Sequence, residues 1–468
     1  MRRYPVPRTN DREPNHERSK NLIYSAVLSF LPGAMPLMAR GNYARELSAI
    51  FFLPWMLTVI EGGVIGVIAK VAFEGVVAPT ILNYAVATLA SAPALANIVS
   101  FIWVRLSHGH DKIRYIIGLQ ITVAILVSAI ALVPRSEIGL YILVVLAIAA
   151  RVCVAGVVTI RSTVWAANYP TSDRARVAGK ITTIQVELVA LAGLIIGKAM
   201  ELDEQAFHII PPLFAGIGLI GVWRYSGIRV RQRSILRTAE LRSTENDGAP
   251  SLNPIALWRV LTNDKRFGAF MLCQMLIGIG NLMLLPVITV MLRDRFGIGY
   301  SGVIIAHTIP LAVMPMFIPL WARLLDRVHI IWFRSIHSWI FVAAAGTYFL
   351  AAAIEIHQLL YLASFIRGIA FGGGALAWTL GHLDFAPAER ASQYMGVHVT
   401  LTGLRGLIAP LMGIQIYTSL EHFHAGAGSL VFLLSIVIIA AGAIGFLLLG
   451  RTLRARPGGL DKPMGPGA

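Results

Sequence analysis

In a chain of 468 residues, 56% are hydrophobic and only 14% charged, whereas a water-soluble domain carries charge on about a quarter of its length. Such a chain cannot cover a water-facing surface, which excludes an ordinary soluble enzyme or binding module. The formal charge of +16 does not mark a nucleic-acid binder either, because the bases fall in short stretches between long apolar runs, the distribution by which membrane proteins orient themselves.

The chain opens on a polar stretch with Arg2, Arg3, Arg8, Arg12 and Arg18 that ends at Lys20, and no cleavable signal follows. Leu22 to Met38 is apolar but short, and Pro32, Gly33 and Pro36 interrupt it. It is expected to lie in the cytoplasmic interface. A spanning helix needs about 20 mostly apolar residues. Six such runs follow, at 46–70, 81–104, 114–134, 139–161, 178–199 and 207–226. A basic polar stretch from Arg229 to Arg266 comes next, with Asn246, Asp247, Gly248 and Pro250 in its middle and a short helix expected around Pro254 to Leu261. Six further runs occupy 267–292, 301–322, 332–354, 358–380, 393–418 and 428–450. Backbone polar groups in hydrocarbon must be bonded within their own element, so these runs are helices.

The pattern predicts an all-α polytopic membrane protein of twelve transmembrane helices in two six-helix bundles. Its parts are a cytoplasmic N-terminal segment (1–45), a first bundle (46–228), a cytoplasmic linker (229–266), a second bundle (267–450) and a cytoplasmic tail (451–468). Bases follow the second, fourth, eighth and last spans: Arg105, Lys112 and Arg114; Arg174, Arg176 and Lys180; Arg323, Arg327 and Arg334; Arg451, Arg454 and Arg456, with Arg293 and Arg295 the main exception on the other side. The opposite loops hold Glu74, Glu137, Glu201, Asp203, Glu204, Glu355 and Glu421. Both termini are therefore expected in the cytoplasm, with the chain in the inner membrane.

The halves repeat one another. Trp103, Arg105 and Leu106 correspond to Trp321, Arg323 and Leu324, and each set precedes an aspartate, Asp111 or Asp326, and then Arg114 or Arg334. Pro170 and Gly179 are matched by Pro387 and Gly396, and Arg151 by Arg367 to within one residue. Two parallel six-helix halves joined by a basic linker resemble the major facilitator superfamily. The loops Arg105–Arg114 and Arg323–Arg334 resemble that superfamily's cytoplasmic loop signature, in which a carboxylate and arginines latch the closing bundles. Asp326-Arg327 keeps the aspartate-arginine pair of that signature, and Gly109 with Asp111 keeps fragments of it. The resemblance implies alternating access, with Arg105, Asp111, Arg114, Arg323, Asp326, Arg327 and Arg334 as gating-loop residues. It leaves the solute open.

Ionisable groups inside the membrane are expensive and mark functional sites by default. Glu61, in Ile60-Glu61-Gly62-Gly63, and Glu187 are the expected proton carriers. Arg405, Arg151 and Arg367 are expected to engage a polar or anionic solute, because guanidinium pairs bidentately with carboxylate or phosphate. Gln185 and Asn281 are further cavity candidates, as are Gln274 and His307, although interhelical hydrogen bonding explains such residues equally well. In a purely structural role, the acids and arginines would neutralise each other.

The expected function is secondary transport of a small, polar or anionic solute coupled to protons or another ion. The partners are the solute, the coupling ion and the lipid bilayer, with no nucleic acid. An exporter of hydrophobic compounds, with a cavity dominated by Met283, Met314 and Phe317, and a non-transporting membrane scaffold are the alternatives. No nucleophile–base set or phosphate-binding loop is present, no cofactor is expected, and Cys153 and Cys273 lie far apart in apolar runs with no metal-ligand spacing.

Overall fold

A computed structural model describes residues 28–203, 205–247, 255–292, 296–297 and 300–454. Among these the chain is helical, with no strand. The first bundle is built from α1 (Leu37–Ile50), α2 (Leu53–Val59), α3 (Gly62–Phe73), α4 (Pro79–Ile98), α5 (Phe101–Ser107), α6 (Lys112–Ile130), α7 (Glu137–Asn168), α8 (Arg174–Leu202) and α9 (Ala206–Ser226). The linker holds α10 (Arg233–Asp247) and α11 (Ile255–Asn263). The second bundle contains α12 (Lys265–Val290), α13 (Tyr300–Arg327), α14 (Ile330–Ala353), α15 (Gln358–Leu380), α16 (Ala391–Phe423) and α17 (Leu430–Arg454). Among the described residues ten helices are long and apolar enough to cross a membrane, and counting each of the bent pairs α2–α3 and α4–α5 as one span brings the number to twelve.

The first bundle has an apolar core of its own, whereas the core of the second continues into residues of α1, α7 and α8, among them Tyr43, Trp165 and Ala178. In the first, α9 lies against α1, α2 and α6, while α7 lies against α4 and α6. In the second, α13 pairs with α15, and α17 with α12 and α14. Several helices outrun the apolar segment that announced them. With 32 residues, α7 is about 48 Å long, well beyond a hydrocarbon core of about 30 Å.

The N-terminal region differs from its expectation in two ways. Residues 22–27 of the expected interfacial helix lie outside the described residues. Beyond them the chain makes a 3₁₀ turn at Pro32–Ala34, then enters α1 at Leu37. This helix packs into the bundle, with Tyr43 buried and Asn42 bonded to the backbone of Arg229. The run 46–70 is not one helix. Glu61 takes an extended backbone (φ −67°, ψ 131°), and the chain bends by 47° between Leu53–Val59 and Val64–Phe73.

The bundles meet mainly where α4, α5 and α7 touch α16, and where α8 touches α13 and α15. The contacts cluster in the half of the molecule that bears the linker. The Ser100 hydroxyl donates to the Gly396 carbonyl, and Thr163 and Ser392 hydroxyls are hydrogen-bonded across the seam. At Gly403 a Cβ would stand 2.5 Å from the Ala94 carbonyl oxygen, so only glycine lets α16 come this close to α4. The repeat is visible in bonding. Trp103 donates to the carbonyl of Val152, and Trp321 to that of Ile369, both at 2.9 Å.

Candidate functional site

The break before α3 leaves the Glu61 carboxylate at the start of a helix, half-exposed and facing α7. Arg151, on α7, donates to Glu61 Oε2 at 3.0 Å. Two residues expected to have separate duties, one for a proton and one for solute, are thus partners.

The second bundle encloses a cavity of about 250 Å³ lined by residues of α12 to α16. Arg405, on α16, reaches into it and donates to the Gln274 carbonyl at 2.9 Å; Gly278 supplies the room. Arg334, on α14, lines the same space, only 1% exposed, and donates to His337 Nδ1 at 3.0 Å. Asn281 joins this lining to a third guanidinium, because Arg367 Nε donates to its side-chain oxygen at 3.1 Å. Trp378, Phe341, Phe371 and Met314 give the rest of the wall an apolar character.

The charges do not cancel. Arginine stays protonated in proteins, and among the described residues no carboxylate bonds to Arg334, Arg367 or Arg405. Arg334 Nε, Arg367 Nη2 and Arg405 Nε have no hydrogen-bond partner there, nor has the Gln274 side-chain oxygen. Buried positive charge with unused donors is unfavourable unless an anion compensates it. The geometry can hold a small anion with an apolar body, with two guanidiniums facing the charge and aromatic rings flanking the remainder.

Of the expected solute residues, Arg405 and Asn281 line this cavity and Arg367 abuts it. Arg151 is engaged by Glu61 in the other bundle. Gln185 is half-buried and Glu187 exposed on α8, and neither lines the cavity. Gln274 lines the cavity; Met283 is buried against Gly413, and Phe317 packs on Phe365.

The gating-loop expectations divide. Arg334 is not a loop residue: α14 begins at Ile330, and one turn on, Arg334 is buried in the bundle. Asp326 does cross the seam, accepting from the Ala175 N–H at 2.8 Å and the Arg176 N–H at 3.0 Å, at the start of α8. Asp111 stays in its own half, capping α6 through the N–H groups of Ile113 and Arg114 and pairing with Arg233 of the linker at 2.6 Å. Arg105, Arg114, Arg323 and Arg327 are exposed.

Sequence reasoning passed over three residues of consequence. Glu46 on α1 is buried and accepts from Trp165 and Tyr169, both at 2.9 Å, tying α1 to the end of α7. Trp378 walls the arginine cavity. His398, behind it, is wholly buried. The only signal for His398 was its position seven residues, or two helical turns, before Arg405. No group of three His, Cys, Asp or Glu is placed to hold a metal among the described residues.

The family model described as Major Facilitator Superfamily matches residues 21–410. No curated sequence matches the chain. Among solved structures, the proton:xylose symporter XylE bound to 6-bromo-6-deoxy-D-glucose is similar with a TM-score of 0.65 and 13% identity, over 87% of this chain and 96% of that one. The human organic anion transporter MFSD10 gives 0.60 and 10%, over 88% and 100%. A point variant of the fucose:proton symporter FucP of E. coli gives 0.59 and 12%, over 85% and 99%.

Proposed function

Because the chain belongs to the major facilitator superfamily, we propose that it is a secondary transporter moving a small organic anion by alternating access, coupled to protons. The observation that carries this reading is the set of three arginines without a carboxylate partner, two of them lining a partly apolar cavity. Arg405 and Arg334 engage the charged group, Arg367 holds Asn281 in place, and Trp378 and Phe371 pack on the body of the solute. The structural relatives, at 10–13% identity, support the transporter fold and leave the solute to this chemistry.

By the positive-inside rule the linker half is cytoplasmic and the membrane is the inner one. The inter-bundle contacts then close the cytoplasmic side, and rocking of the bundles about the central site opens it, as in repeat-built transporters. Asp326 against the start of α8 is a latch of this closure. The Glu61–Arg151 pair is charge-compensated, which withdraws Arg151 from the solute.

The test is thermal stability of the purified protein against organic anions, since a ligand that binds only the folded state must raise stability. Stabilisation by a carboxylate is expected, with affinity at least about tenfold weaker in Arg405→Ala, equivalent to the loss of one charge-assisted bond. Stabilisation by lipophilic cations alone, indifferent to Arg405→Ala, would establish the hydrophobic-compound exporter instead. No response to either class would point to the scaffold.

A further inference from the structure

Resting on that anion site, we propose that His398 carries the coupled proton: its imidazole takes up one proton when an anion occupies the arginine cluster, so that the two bind together. His398 is 0% exposed, and neither ring nitrogen has a hydrogen-bond partner. Buried imidazoles ordinarily bond through at least one nitrogen. His337 in the same bundle does so through both, with Nδ1 accepting from Arg334 and Nε2 donating to the Ala370 carbonyl at 2.8 Å. That bonding fixes His337 as a neutral packing residue; His398 and His382 are the buried imidazoles with both nitrogens unused among the described residues, and of the two only His398 shares α16 with Arg405.

His398 is placed to sense the anion. It shares a face of α16 with Arg405, two turns or about 10 Å away. Between it and the cavity stands Trp378, whose ring lies edge-on at 5.8 Å. The charged groups facing it are cations: Arg405 on its own helix, Arg334 from α14, and His382 from the turn after α15 when protonated. His382 is in turn faced by Arg174 of α8, near Asp326 and Asp384. Toward α12 the nearest acid is Asp264, engaged by Tyr394. The contacts from the first bundle near this stretch come from Ala94, Asn97, Ile98, Ser100, Phe101, Val104 and Thr159, all uncharged.

An imidazolium in that company is opposed by two permanent guanidiniums. A bound anion reverses the local field, and by linkage the proton must then favour the anion as much as the anion favours the proton. His382 is likewise buried with both nitrogens unused, and it lies on the linker side of His398, the side that opens when the bundles part. No bond is made or broken beyond N–H: a solvent proton joins a ring nitrogen on binding and leaves it on release.

The experiment uses the full-length protein in detergent with benzoate and with sulfate, neither of which changes protonation between about pH 6 and 8, the range in which a histidine titrates. Wild type is expected to bind one or both up to about tenfold more tightly per unit of acidification, the limit for one linked proton. His398→Asn is expected to bind with affinity independent of pH, while the exposed His422→Asn keeps the wild-type slope. If the slope survives in His398→Asn, or vanishes in Glu61→Gln instead, the proposal is wrong and the anion site stands. If neither anion binds in a manner dependent on Arg405, the anion reading fails and this inference with it. Should His398→Asn not fold, proton uptake by wild type in weak buffer decides: about one proton per benzoate or sulfate bound supports the proposal, and none overturns it.

Discussion

Arg405 holds its position because residue 278 has no side chain. A Cβ there would stand 2.3 Å from Arg405 Nη1 and 2.6 Å from Cζ, inside any tolerated contact. The guanidinium is the movable partner, so Gly278→Ala should push it off the Gln274 carbonyl while leaving its charge in the protein. The expected outcome in a carboxylate thermal-shift titration is an anion affinity about tenfold weaker, as for loss of one charged hydrogen bond, with stability in the absence of anion lowered by no more than about 1–3 kcal/mol. Unchanged anion binding would show that the guanidinium's exact place is immaterial. The sequence allowed Arg405 and Arg367 to be picked out, because an intramembrane ion is conspicuous on an apolar helix, and Asn281 as a polar side chain among apolar ones. It did not allow Arg151 to be set apart from them. Which way a helix is turned decides whether an arginine meets Glu61 or a cavity, and apolar runs on every face carry no such information. Arg334 was assigned to the loop through its match to Arg114, although the run 332–354 already contained it; α14 begins at Ile330 and carries it into the bundle.

Helix α10 shows how a polar segment acquires structure from one buried contact. Its Glu240 carboxylate pairs with Lys112 at 2.8 Å and accepts the Gly109 N–H at 2.8 Å, with the two charged side chains only 3% and 4% exposed. Leu241 covers Gly109, whose φ of +71° suits glycine. Removing one member of a buried pair strands the other at a cost of about 3–5 kcal/mol, whereas replacing both by apolar groups is far milder. Glu240→Ala should therefore undock the linker, raising the rate of trypsin cleavage after Arg237 or Arg242 on the order of 100-fold where cleavage follows the open population. Lys112→Met combined with Glu240→Leu should recover most of the protection. His108 adds a pH dependence. Burial holds its imidazole below its ordinary range; Glu240 pulls the other way and is outweighed, with Lys112 and Arg105 adding to the depression. Its neutral Nε2–H donates to the Glu240 carbonyl at 3.0 Å. A depressed histidine contributes stability that is full above its unfolded pKa of about 6.5 and is lost as pH falls below it, so protection should decline under mild acid. The short helix near 254–261 was foreseeable from its apolar residues. Arg233–Asp247 was not, because its stability comes from a tertiary ion pair rather than from an apolar stripe.

At the scale of the molecule, the repeat explains how two bundles can close on each other with matched parts. Gly179, nine residues after Pro170, faces Ile318 of the opposite bundle; Gly396, nine residues after Pro387, faces Val104. These pairs were legible as spacings in the sequence, since a glycine kept at one offset in both halves marks a close approach. The asymmetry was not legible. Asp326 bonds across the seam to the start of α8, whereas Asp111, its counterpart by position, is spent on its own helix and on Arg233. Closure therefore leans on one carboxylate at the positive end of a helix, an arrangement whose loss typically costs about 1 kcal/mol. That much would shift an open–closed equilibrium about fivefold. Thr163 and Ser392, hydroxyl to hydroxyl across the seam, give a readout that needs no known solute. With Cys153 and Cys273 replaced by serine, the double variant Thr163→Cys, Ser392→Cys should cross-link under mild oxidant in the closed form. Adding Asp326→Asn should slow the cross-linking by up to about fivefold, because the closed population falls, while Asp111→Asn should leave it unchanged. Equal rates with and without Asp326 would remove that carboxylate from the gate and place the closing energy in the apolar seam of α4 and α16.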